Sequence, residues 1–380
     1  MKLPIQMFDP TRDYQNHKEE YDNSIQKVLN HGQFINGQEI KELEDKLSKY
    51  INVKYCITMS NGTDAIKIAL LALNIGYGDE VITVSHTWIS TAEVISLIGA
   101  KPVFVDIDPI NFNIDINKIE EKITKNTKAI LPVSLYGLMP DYKKINEIAN
   151  KYNISVIEDG AQSFGSIRED YKSCSCMFTT IATTSFFPSK PYSCYGDGGA
   201  CFTNDDNLAL KLRAIKNHGG LERFKHKYIG MNARLDTIQA GILLVKLNYL
   251  DKSLELRNKV ANYYKQNLQE LENKNLVKLP IVPNENYHVW AQFSILINNK
   301  IIRDNLFNYL KNNNVNVAIF YPSPLHTQEC FSYLNYKYGS FPITETICES
   351  IINLPCYAEL TLEELEYIVG IFKNFFSTQP

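Results

Sequence analysis

A single lysine is the first residue in this sequence whose surroundings suggest chemistry. The stretch TTSFFPSKPYSCYGDGGACFTND, residues 183–205, places Lys190 between an apolar run and a glycine-rich turn. Pro188 and Pro191 restrict the backbone on either side of it. The lysine is either a solvated loop residue or a nucleophile held against a cofactor. An amine held in a defined loop can form a Schiff base with an aldehyde when its site lowers its pKa.

A second motif, SNGTDAIKIAL at residues 60–70, indicates a binding site for an anion. The pattern predicts a strand that ends near Thr58 and a helix that starts at Asp64. Gly62 lets a ligand approach the backbone closely, and Thr63 adds a hydroxyl and an amide at the helix N-terminus. These groups suit a phosphate, although an ordinary capped helix uses the same residue types.

A third motif, VIEDGAQSFG, runs a predicted strand into Asp159, and Gln162 follows. A carboxylate at the end of a central strand, among apolar neighbours, needs a cationic partner to stay ionised. A protonated ring nitrogen would serve; a structural salt bridge and a helix cap are the alternatives. With Ser185 shortly before Lys190, the three motifs supply what pyridoxal 5′-phosphate (PLP) requires: a phosphate anchor, a pyridinium partner and an aldehyde-binding amine.

Motifs for other cofactors and for metals are missing from the sequence. The glycines of GDGG at residues 196–199 do not form a G-x-G-x-x-G dinucleotide fingerprint. Neither a G-x-x-x-x-G-K-[ST] loop nor an H-E-x-x-H helix is present. The eight cysteines form no C-x₂-C pair, so we expect reduced thiols and no metal site.

The elements that position these motifs alternate between strands and helices. Seven short apolar runs follow one another between residues 55 and 204: YCIT, EVITV, KPVFV, AILPVSLY, ISVIED, TIATTSFF and ACFT. Helical patterns are predicted between them, at residues 64–73, 90–99, 141–152 and 207–218. This alternation predicts an α/β fold with a mostly parallel sheet covered by helices on both faces. Ligands of such sheets bind at the carboxyl ends of the strands.

The length of 380 residues predicts two domains, since single cores stop growing near ~250–300 residues. A helical period that continues over residues 235–272 is long enough to leave one domain and enter another. We therefore predict a large PLP-binding domain over residues 1–250 and a small C-terminal α+β domain over residues 251–380.

The composition favours a small-molecule partner. The formal net charge is −3, and no basic block or stripe supports a role at nucleic acid or at a membrane surface. No apolar stretch reaches the ~18 residues of a membrane span, and the first residues contain no apolar signal-peptide core. We expect a soluble protein that stays in the cytoplasm.

These motifs resemble the DegT/DnrJ/EryC1/StrS family of nucleotide-sugar aminotransferases over nearly the whole chain. The resemblance is carried by VLNHGQFINGQEIKELEDKLSKY, NGTDA, GDEVITVSHTWISTAEVI, EDGAQSFG, SFFPSKPYSCYGDGGA, NARLDTIQA and YPSPLH. It implies the fold type I of PLP-dependent transferases, which is the aspartate-aminotransferase-like fold, and a homodimer with shared active sites. It also implies transfer of an amino group from L-glutamate to a nucleotide-linked ketosugar, a step in amino-sugar and polysaccharide biosynthesis.

The resemblance further implies individual residue roles. Lys190 would bind PLP covalently and move protons, and Asp159 would pair with the pyridine nitrogen. Gln162 would reach the ring hydroxyl, and Trp88 would stack on the ring face. The phosphate and the amino donor would be bound by the remaining residues: Gly62, Thr63 and Ser185 at the phosphate, and, from the neighbouring subunit, Asn232 at the phosphate and Arg234 at the donor carboxylate.

Simpler roles stay open for some of these residues. Trp88 is alternatively a core aromatic, and Arg234 is alternatively a salt-bridge partner at a helix N-terminus. Four histidines are best explained as surface or packing residues: His218, His226, His288 and His326.

The substrate and the reaction outcome have alternatives of their own. The motifs are most similar to the branch that aminates C3 of UDP-linked 3-keto N-acetylated hexoses or hexuronic acids, yet HTWIS is also similar to members that aminate C4 of UDP- or dTDP-4-keto-6-deoxy sugars. KPYSC, where relatives often read KPLGC, departs beside Lys190 and bears on the shape of the pocket. Lys190 argues against relatives that dehydrate or deoxygenate sugars with a histidine at this position. A non-catalytic PLP-binding regulator is a remote alternative.

Overall fold

The computed structural model describes residues 4–377. The strands in this part of the chain are β1 (Tyr55–Met59), β2 (Glu80–Val84), β3 (Lys101–Val105), β4 (Thr127–Ile130), β5 (Ser155–Asp159), β6 (Ile167–Arg168), β7 (Tyr171–Lys172), β8 (Ile181–Ser185), β9 (Gly199–Thr203), β10 (Val277–Lys278), β11 (Asn286–Tyr287), β12 (Phe293–Ile297) and β13 (Ile351–Leu354). The α-helices are α1 (Pro10–Asn16), α2 (Lys18–His31), α3 (Gln38–Ile51), α4 (Gly62–Ala72), α5 (Ser90–Leu97), α6 (Tyr142–Tyr152), α7 (Asp206–Ile215), α8 (Thr237–Leu247), α9 (Leu250–Asn273), α10 (Lys300–Asn312), α11 (Pro342–Ser350) and α12 (Leu362–Ser377).

Seven of the strands described in residues 4–377 form a central sheet in the order β1-β9-β8-β5-β4-β2-β3. β9 runs antiparallel to β1 and β8, while every other pair in the sheet is parallel. The predicted mostly parallel sheet and the α/β fold class are therefore confirmed. Each strand matches one predicted apolar run, although the strand of AILPVSLY ends at Ile130, before Pro132, which has no N–H for a ladder hydrogen bond.

Helices cover both faces of the central sheet, as neighbouring strand residues show. Ile57 packs into a cluster that contains Ile66 of α4. Cys56, its neighbour in β1, packs into another cluster with Leu47 of α3 and Leu243 of α8. Because successive side chains of a strand point to opposite faces, the two clusters lie on opposite sides of the sheet. The sheet is thus the middle layer of three.

A separate apolar core lies in the C-terminal part of the chain, where α9, α10 and α12 pack on a sheet of order β10-β12-β13. Ile5 belongs to this core and pairs with Val315 in a parallel bridge. Arg12 ties the same N-terminal segment to Glu364 with hydrogen bonds of 2.7 and 2.6 Å. The first residues of the described chain therefore pack against the C-terminal core.

The helical period predicted over residues 235–272 forms two helices. α8 ends at Leu247 and α9 starts at Leu250, with Asn248 and Tyr249 at the break. The predicted boundary near residue 250 falls beside this break. Between residues 4 and 377 no helix combines the length and the apolar character needed to cross a membrane.

Candidate active site

The candidate residues follow the ends of central strands, and parallel strands end at the same edge of a sheet. β1 leads into the start of α4, β2 leads into the segment of Trp88, and β8 leads into the loop of Lys190. β5 itself ends at Asp159. The antiparallel strand β9 begins at this edge with Gly199, which pairs with the last residue of β8. One edge of the sheet therefore collects the predicted residues between positions 62 and 190.

A cradle for an anion forms where the start of α4 meets the ends of β8 and β9. A Cβ atom on Gly62 would lie 2.7 Å from the Cβ of Ser185. A Cβ atom on Gly199 would lie 2.6 Å from the carbonyl oxygen of Asn61 and 2.8 Å from the nitrogen of Gly62. Real Cβ atoms essentially never approach so closely, so both positions require glycine for this packing.

The helix α4 starts at Gly62, two residues before the predicted start at Asp64, because Asn61 caps it. The Oδ1 atom of Asn61 accepts a hydrogen bond from the backbone N–H of Asp64 at 2.7 Å. The amides of Gly62 and Thr63 belong to the first turn, where N–H groups have no partner within the helix. A helix N-terminus of this kind favours an anion, and it lies beside Ser185.

Asp159 is a buried carboxylate held by two donors. Thr91 Oγ1 donates to Oδ2 at 2.8 Å, and the backbone N–H of Ala161 donates to Oδ1 at 3.2 Å. The residue is only 4% exposed. Burial raises the pKa of Asp159, whereas Thr91, Ala161 and the charge of Lys190 act in the opposite direction. A further cation next to this carboxylate, such as a protonated ring nitrogen, would stabilise its charged form.

Lys190 lies close enough to Asp159 for the two charges to interact. Burial lowers the pKa of Lys190, and the Asp159 carboxylate opposes part of that decrease. The backbone N–H of Lys190 donates to the carbonyl oxygen of Phe187 at 2.9 Å, which fixes the turn that carries the side chain. A lowered pKa increases the share of neutral amine, and the neutral amine is the form that attacks an aldehyde.

Gln162 and Trp88 meet a residue from the C-terminal part of the chain, Tyr321. The Nε2 atom of Gln162 donates to the Tyr321 hydroxyl at 3.2 Å, and its Oε1 accepts from the backbone N–H of Tyr136 at 2.7 Å. The Trp88 ring is 60% exposed, and its centroid lies 6.4 Å from that of Tyr321. Trp88 is therefore not a core aromatic and offers a ring face to a ligand.

Within residues 4–377 no hydrogen bond or ion pair joins Asn232 or Arg234 to Lys190. The Asn232 side chain is exposed. Arg234 Nη1 donates to Asn217 Oδ1 at 2.9 Å, while its Nε is buried without a partner among residues 4–377. Arg234 forms no salt bridge with any other residue in the range 4–377. The alternative role, as a salt-bridge partner at a helix N-terminus, is therefore wrong within this range.

Several residues of the site were missed by sequence reasoning. Thr91 lies 68 positions from the carboxylate that it contacts, and Tyr321 lies 159 positions from Gln162. No spacing pattern connects such pairs. His86 bonds the Tyr136 hydroxyl through Nε2 at 2.8 Å. Its position after a buried strand, in the quoted segment HTWIS, is the one signal that could have singled it out.

The four histidines predicted to be surface or packing residues have these roles in the structure. His218 and His226 are exposed. His288 stacks on a tryptophan with ring centroids 3.9 Å apart. His326 is buried and bonds Ser85 at 2.8 Å and a glutamate at 3.0 Å.

The tyrosine of KPYSC, where relatives often have leucine, points into the core and not into the pocket. Tyr192 is fully buried, stacks on Phe164 with centroids 5.1 Å apart and donates its hydroxyl to the carbonyl oxygen of Leu243 at 2.8 Å. The substitution therefore fills the apolar cluster between α3, α8 and the sheet.

The collected geometry fits PLP. The glycine-dependent cradle at the start of α4 suits the phosphate, and the buried carboxylate of Asp159 suits a protonated ring nitrogen. Lys190, whose pKa is lowered, suits the aldehyde. No group of three His, Cys, Asp or Glu side chains within residues 4–377 is arranged to hold a metal ion.

Known proteins with similar sequences support an aminotransferase reaction. The profile of the DegT/DnrJ/EryC1/StrS aminotransferase family matches residues 15–373. The UDP-2-acetamido-2-deoxy-3-oxo-D-glucuronate aminotransferase of Pseudomonas aeruginosa is 44% identical, over 94% of this chain and 96% of its own. A protein of Geobacillus stearothermophilus named pleiotropic regulatory protein is 41% identical, over 98% of this chain and 99% of its own.

A solved structure extends the similarity to three dimensions. The crystal structure of ntda from Bacillus subtilis with bound cofactor PMP, the aminated form of PLP, matches with a TM-score of 0.89 at 33% identity. The match covers 96% of this chain and 82% of that chain. The predictions of fold type I and of a PLP cofactor are thereby confirmed. The chain belongs to the DegT/DnrJ/EryC1/StrS aminotransferase family.

Proposed function

We propose that this aminotransferase moves the amino group of L-glutamate to C3 of a UDP-linked 3-keto N-acetylated hexose or hexuronic acid. The observation that carries the chemistry is the electrostatic interaction of half-buried Lys190 with the buried Asp159 carboxylate, at the sheet edge that also holds the anion cradle. The substrate class is supported by the Pseudomonas relative, whose name specifies a UDP-linked 2-acetamido-3-oxo glucuronate. The product would be an amino-sugar precursor for polysaccharide synthesis.

Each residue around the cofactor has a defined task in this proposal. Bound PLP supplies an aldehyde that links to amines and a ring that accepts electrons from the α-carbon. Gly62, Thr63 and Ser185 would bind the phosphate, and Asp159 would pair with the ring nitrogen. Gln162 would donate to the ring hydroxyl, and Trp88 would stack on the ring.

Lys190 moves the protons in both halves of the reaction. Because burial lowers the pKa of Lys190, its Nζ atom is more often neutral than that of an exposed lysine. A neutral Nζ can accept the proton from the α-carbon of glutamate and deliver it again as a general acid. With the ketosugar the same atom works in the reverse direction, and the proton ends on C3 of the sugar.

We also propose a homodimer, because one chain exposes an apolar segment that a partner would cover. Residues 219–230 fold back on themselves at Gly219, where a Cβ atom would lie 1.7 Å from the Tyr228 carbonyl oxygen. Leu221, Phe224 and Ile229 of this segment are 61%, 82% and 96% exposed. A cluster of exposed apolar side chains marks a protein interface.

The residues that follow this segment in the sequence are the ones that would complete a shared active site. Asn232 and Arg234 lie directly after this segment, and within residues 4–377 neither forms a hydrogen bond or ion pair with Lys190. A partner docked on the segment would receive both side chains, Asn232 towards the phosphate and Arg234 towards the carboxylate of the donor. The unpartnered Nε of Arg234 supports this assignment, because a buried guanidinium nitrogen needs an acceptor.

The proposed domains are residues 1–250 and 251–380, supported by the separate C-terminal core. Ile5 is an exception, since it belongs to the first range and packs in this core. The proposed location is the cytoplasm. All eight cysteines are free thiols, and seven of them are buried, which suits a reducing compartment.

Two other functions remain to be separated by experiment. C4 amination of a UDP- or dTDP-4-keto-6-deoxy sugar would use the same residues. A non-catalytic PLP-binding regulator is favoured by one observation, the name of the Geobacillus relative. Lys190 and Asp159 would then bind the cofactor without turnover.

The first experiment is the visible absorbance spectrum of the purified protein with PLP, before and after L-glutamate. The proposal expects a band that glutamate converts and that a UDP-linked 3-keto sugar restores, with an aminated sugar detected by mass spectrometry. A 4-keto sugar is the comparison substrate. Lys190→Ala should bind PLP without turnover, and a variant that still transaminates would contradict the role of Lys190. A band that glutamate leaves unchanged would favour the regulator.

A further inference from the structure

The carboxamide of Gln162 is held in one orientation. Its Oε1 faces the backbone N–H of Tyr136 at 2.7 Å, and since a backbone N–H only donates, the facing atom must be the oxygen. Nε2 therefore lies on the other side, where it donates to the Tyr321 hydroxyl at 3.2 Å. An amide nitrogen carries two hydrogens, and within residues 4–377 Tyr321 accepts one of them. The second hydrogen remains for a ligand.

Tyr136 also holds the segment that carries Tyr321. Its hydroxyl donates to the carbonyl oxygen of Phe320 and receives the Nε2–H of His86, 2.8 Å away. Burial lowers the pKa of His86 to about 3, so the ring is neutral and has one N–H to give. Tyr136 itself has a φ of 57°, which is unfavourable for a bulky residue and persists only where the surroundings impose it.

We propose that Tyr321 and Tyr136 are positioning residues that make Gln162 present an N–H donor, rather than its carbonyl oxygen, to the ring hydroxyl of PLP. The inference rests on the proposed function, because it needs PLP in this site. Tyr136 selects the oxygen end of the amide, and Tyr321 selects the nitrogen end. The donor of Gln162 thus depends on a residue from the C-terminal part of the chain.

This arrangement predicts a spectroscopic effect. A donor to the ring oxygen stabilises its anionic form, and so lowers the pKa at which the visible band of the bound cofactor changes. Without the Tyr321 oxygen the amide rotates more freely about its last torsion, which is broad for such groups. The hydrogen bond from Gln162 to the ring oxygen then weakens, and the pKa at which the visible band changes rises.

The test is a pH titration of the visible band in holoenzymes reconstituted with PLP. Gln162→Leu should raise the pKa of the band by about 0.5–1, the equivalent of one lost hydrogen bond. Tyr321→Phe should raise it in the same direction by no more than this, and the double variant should match Gln162→Leu within the error. Tyr136→Phe, which keeps the backbone N–H, is the second variant should Tyr321→Phe not fold. Tyr333→Phe is the control, because its exposed hydroxyl bonds Ser96 away from Gln162.

The outcomes separate this inference from the proposed function. If the wild type forms no band with PLP, the proposed function fails and the inference with it. If the band forms but Tyr321→Phe leaves its pKa unchanged, or if the two single effects add, the positioning role is overturned while the proposed function stands. An unchanged pKa in Gln162→Leu also overturns the inference.

Discussion

Gly62 lies directly against Ser185, so closely that a Cβ atom on the glycine would sit 2.7 Å from the Ser185 Cβ and 3.2 Å from its Oγ. The two residues come from different parts of the sheet, one at the start of α4 and the other at the end of β8. Their contact brings the helix amides and the serine hydroxyl to one point. The glycine is therefore a requirement of the anion cradle.

Gly62→Ala should weaken PLP binding at least about tenfold, since a shift of the cradle that loses one charge-assisted hydrogen bond costs about 1.5–3 kcal/mol. The added methyl must push α4 and β8 apart. The dissociation constant can be measured by fluorescence titration of PLP-free protein. Gly370→Ala on α12 is the matched control, because its Cβ would meet no atom within 4 Å. Equal PLP affinity in both variants would contradict the cradle.

Asp159→Asn should lower turnover by about a thousandfold, because a charge pair at ~4 Å in a partly buried site is worth about 4 kcal/mol.

Thr91→Val removes the 2.8 Å hydrogen bond to the Asp159 carboxylate. The pKa of Asp159, already raised by burial, should then rise further. The charged form is lost as the pH falls, so the acid limb of the kcat/KM profile should move to higher pH.

The control for Thr91→Val is Thr203→Val, which removes a buried hydroxyl that bonds the Thr180 carbonyl oxygen at 3.0 Å. This variant should lose stability and keep the wild-type pH profile. A Thr91→Val profile that coincides with that of the wild type would show that the hydroxyl does not stabilise the charged Asp159.

The positions of the strands and of the site edge could be predicted from the sequence, whereas the contacts between distant segments could not. Each central strand is a short apolar run, because its residues are buried on both faces. Because parallel strands end at the same edge of a sheet, Asp159 at the end of β5 and Lys190 after β8 lie at one edge. The pairing of Gln162 with Tyr321 depends on how the C-terminal part packs on the sheet, which no local pattern records. Tyr192 shows the same limit, since its sequence position beside Lys190 does not reveal that its ring points into the core.

Mixed dimers test whether Arg234 acts across the subunit interface. Lys190→Ala and Arg234→Ala should each be inactive alone. In a mixed dimer, one site would combine an intact Lys190 with an intact Arg234 from the partner. Equal mixing and re-association should therefore restore about one quarter of wild-type activity, since half of the dimers are mixed and each has one intact site.

The control mixes wild-type protein with the double variant Lys190→Ala/Arg234→Ala. Its mixed dimers contain no site with both residues intact, so their formation should add no activity to that of the remaining wild-type dimers. If Arg234 served its own chain, the first mixture would stay inactive and these mixed dimers would be half active. The two mixtures thus give opposite results for the two arrangements.

Two buried histidines should make the PLP-free protein sensitive to acid. Burial lowers the pKa of His86 and of His288 to about 3, from an ordinary value of 6.5. The folded protein keeps both rings neutral at pH 5, while the unfolded chain binds a proton on each. The stability that depends on the neutral rings is therefore complete above pH 6.5 and is lost as the pH falls towards 3.

Between pH 7.5 and 5 the loss amounts to about 2 kcal/mol per histidine. His288→Gln should remove one such contribution, so the free energy of unfolding in urea should fall by about 2 kcal/mol less than in the wild type over this interval. The comparison of the two pH values within each protein cancels the stacking that His288 loses with Trp290. His226→Gln is the control, because that side chain is exposed. If the free energy of unfolding of His288→Gln depends on pH as that of the wild type does, the His288 ring takes up a proton in the folded protein as well as in the unfolded chain.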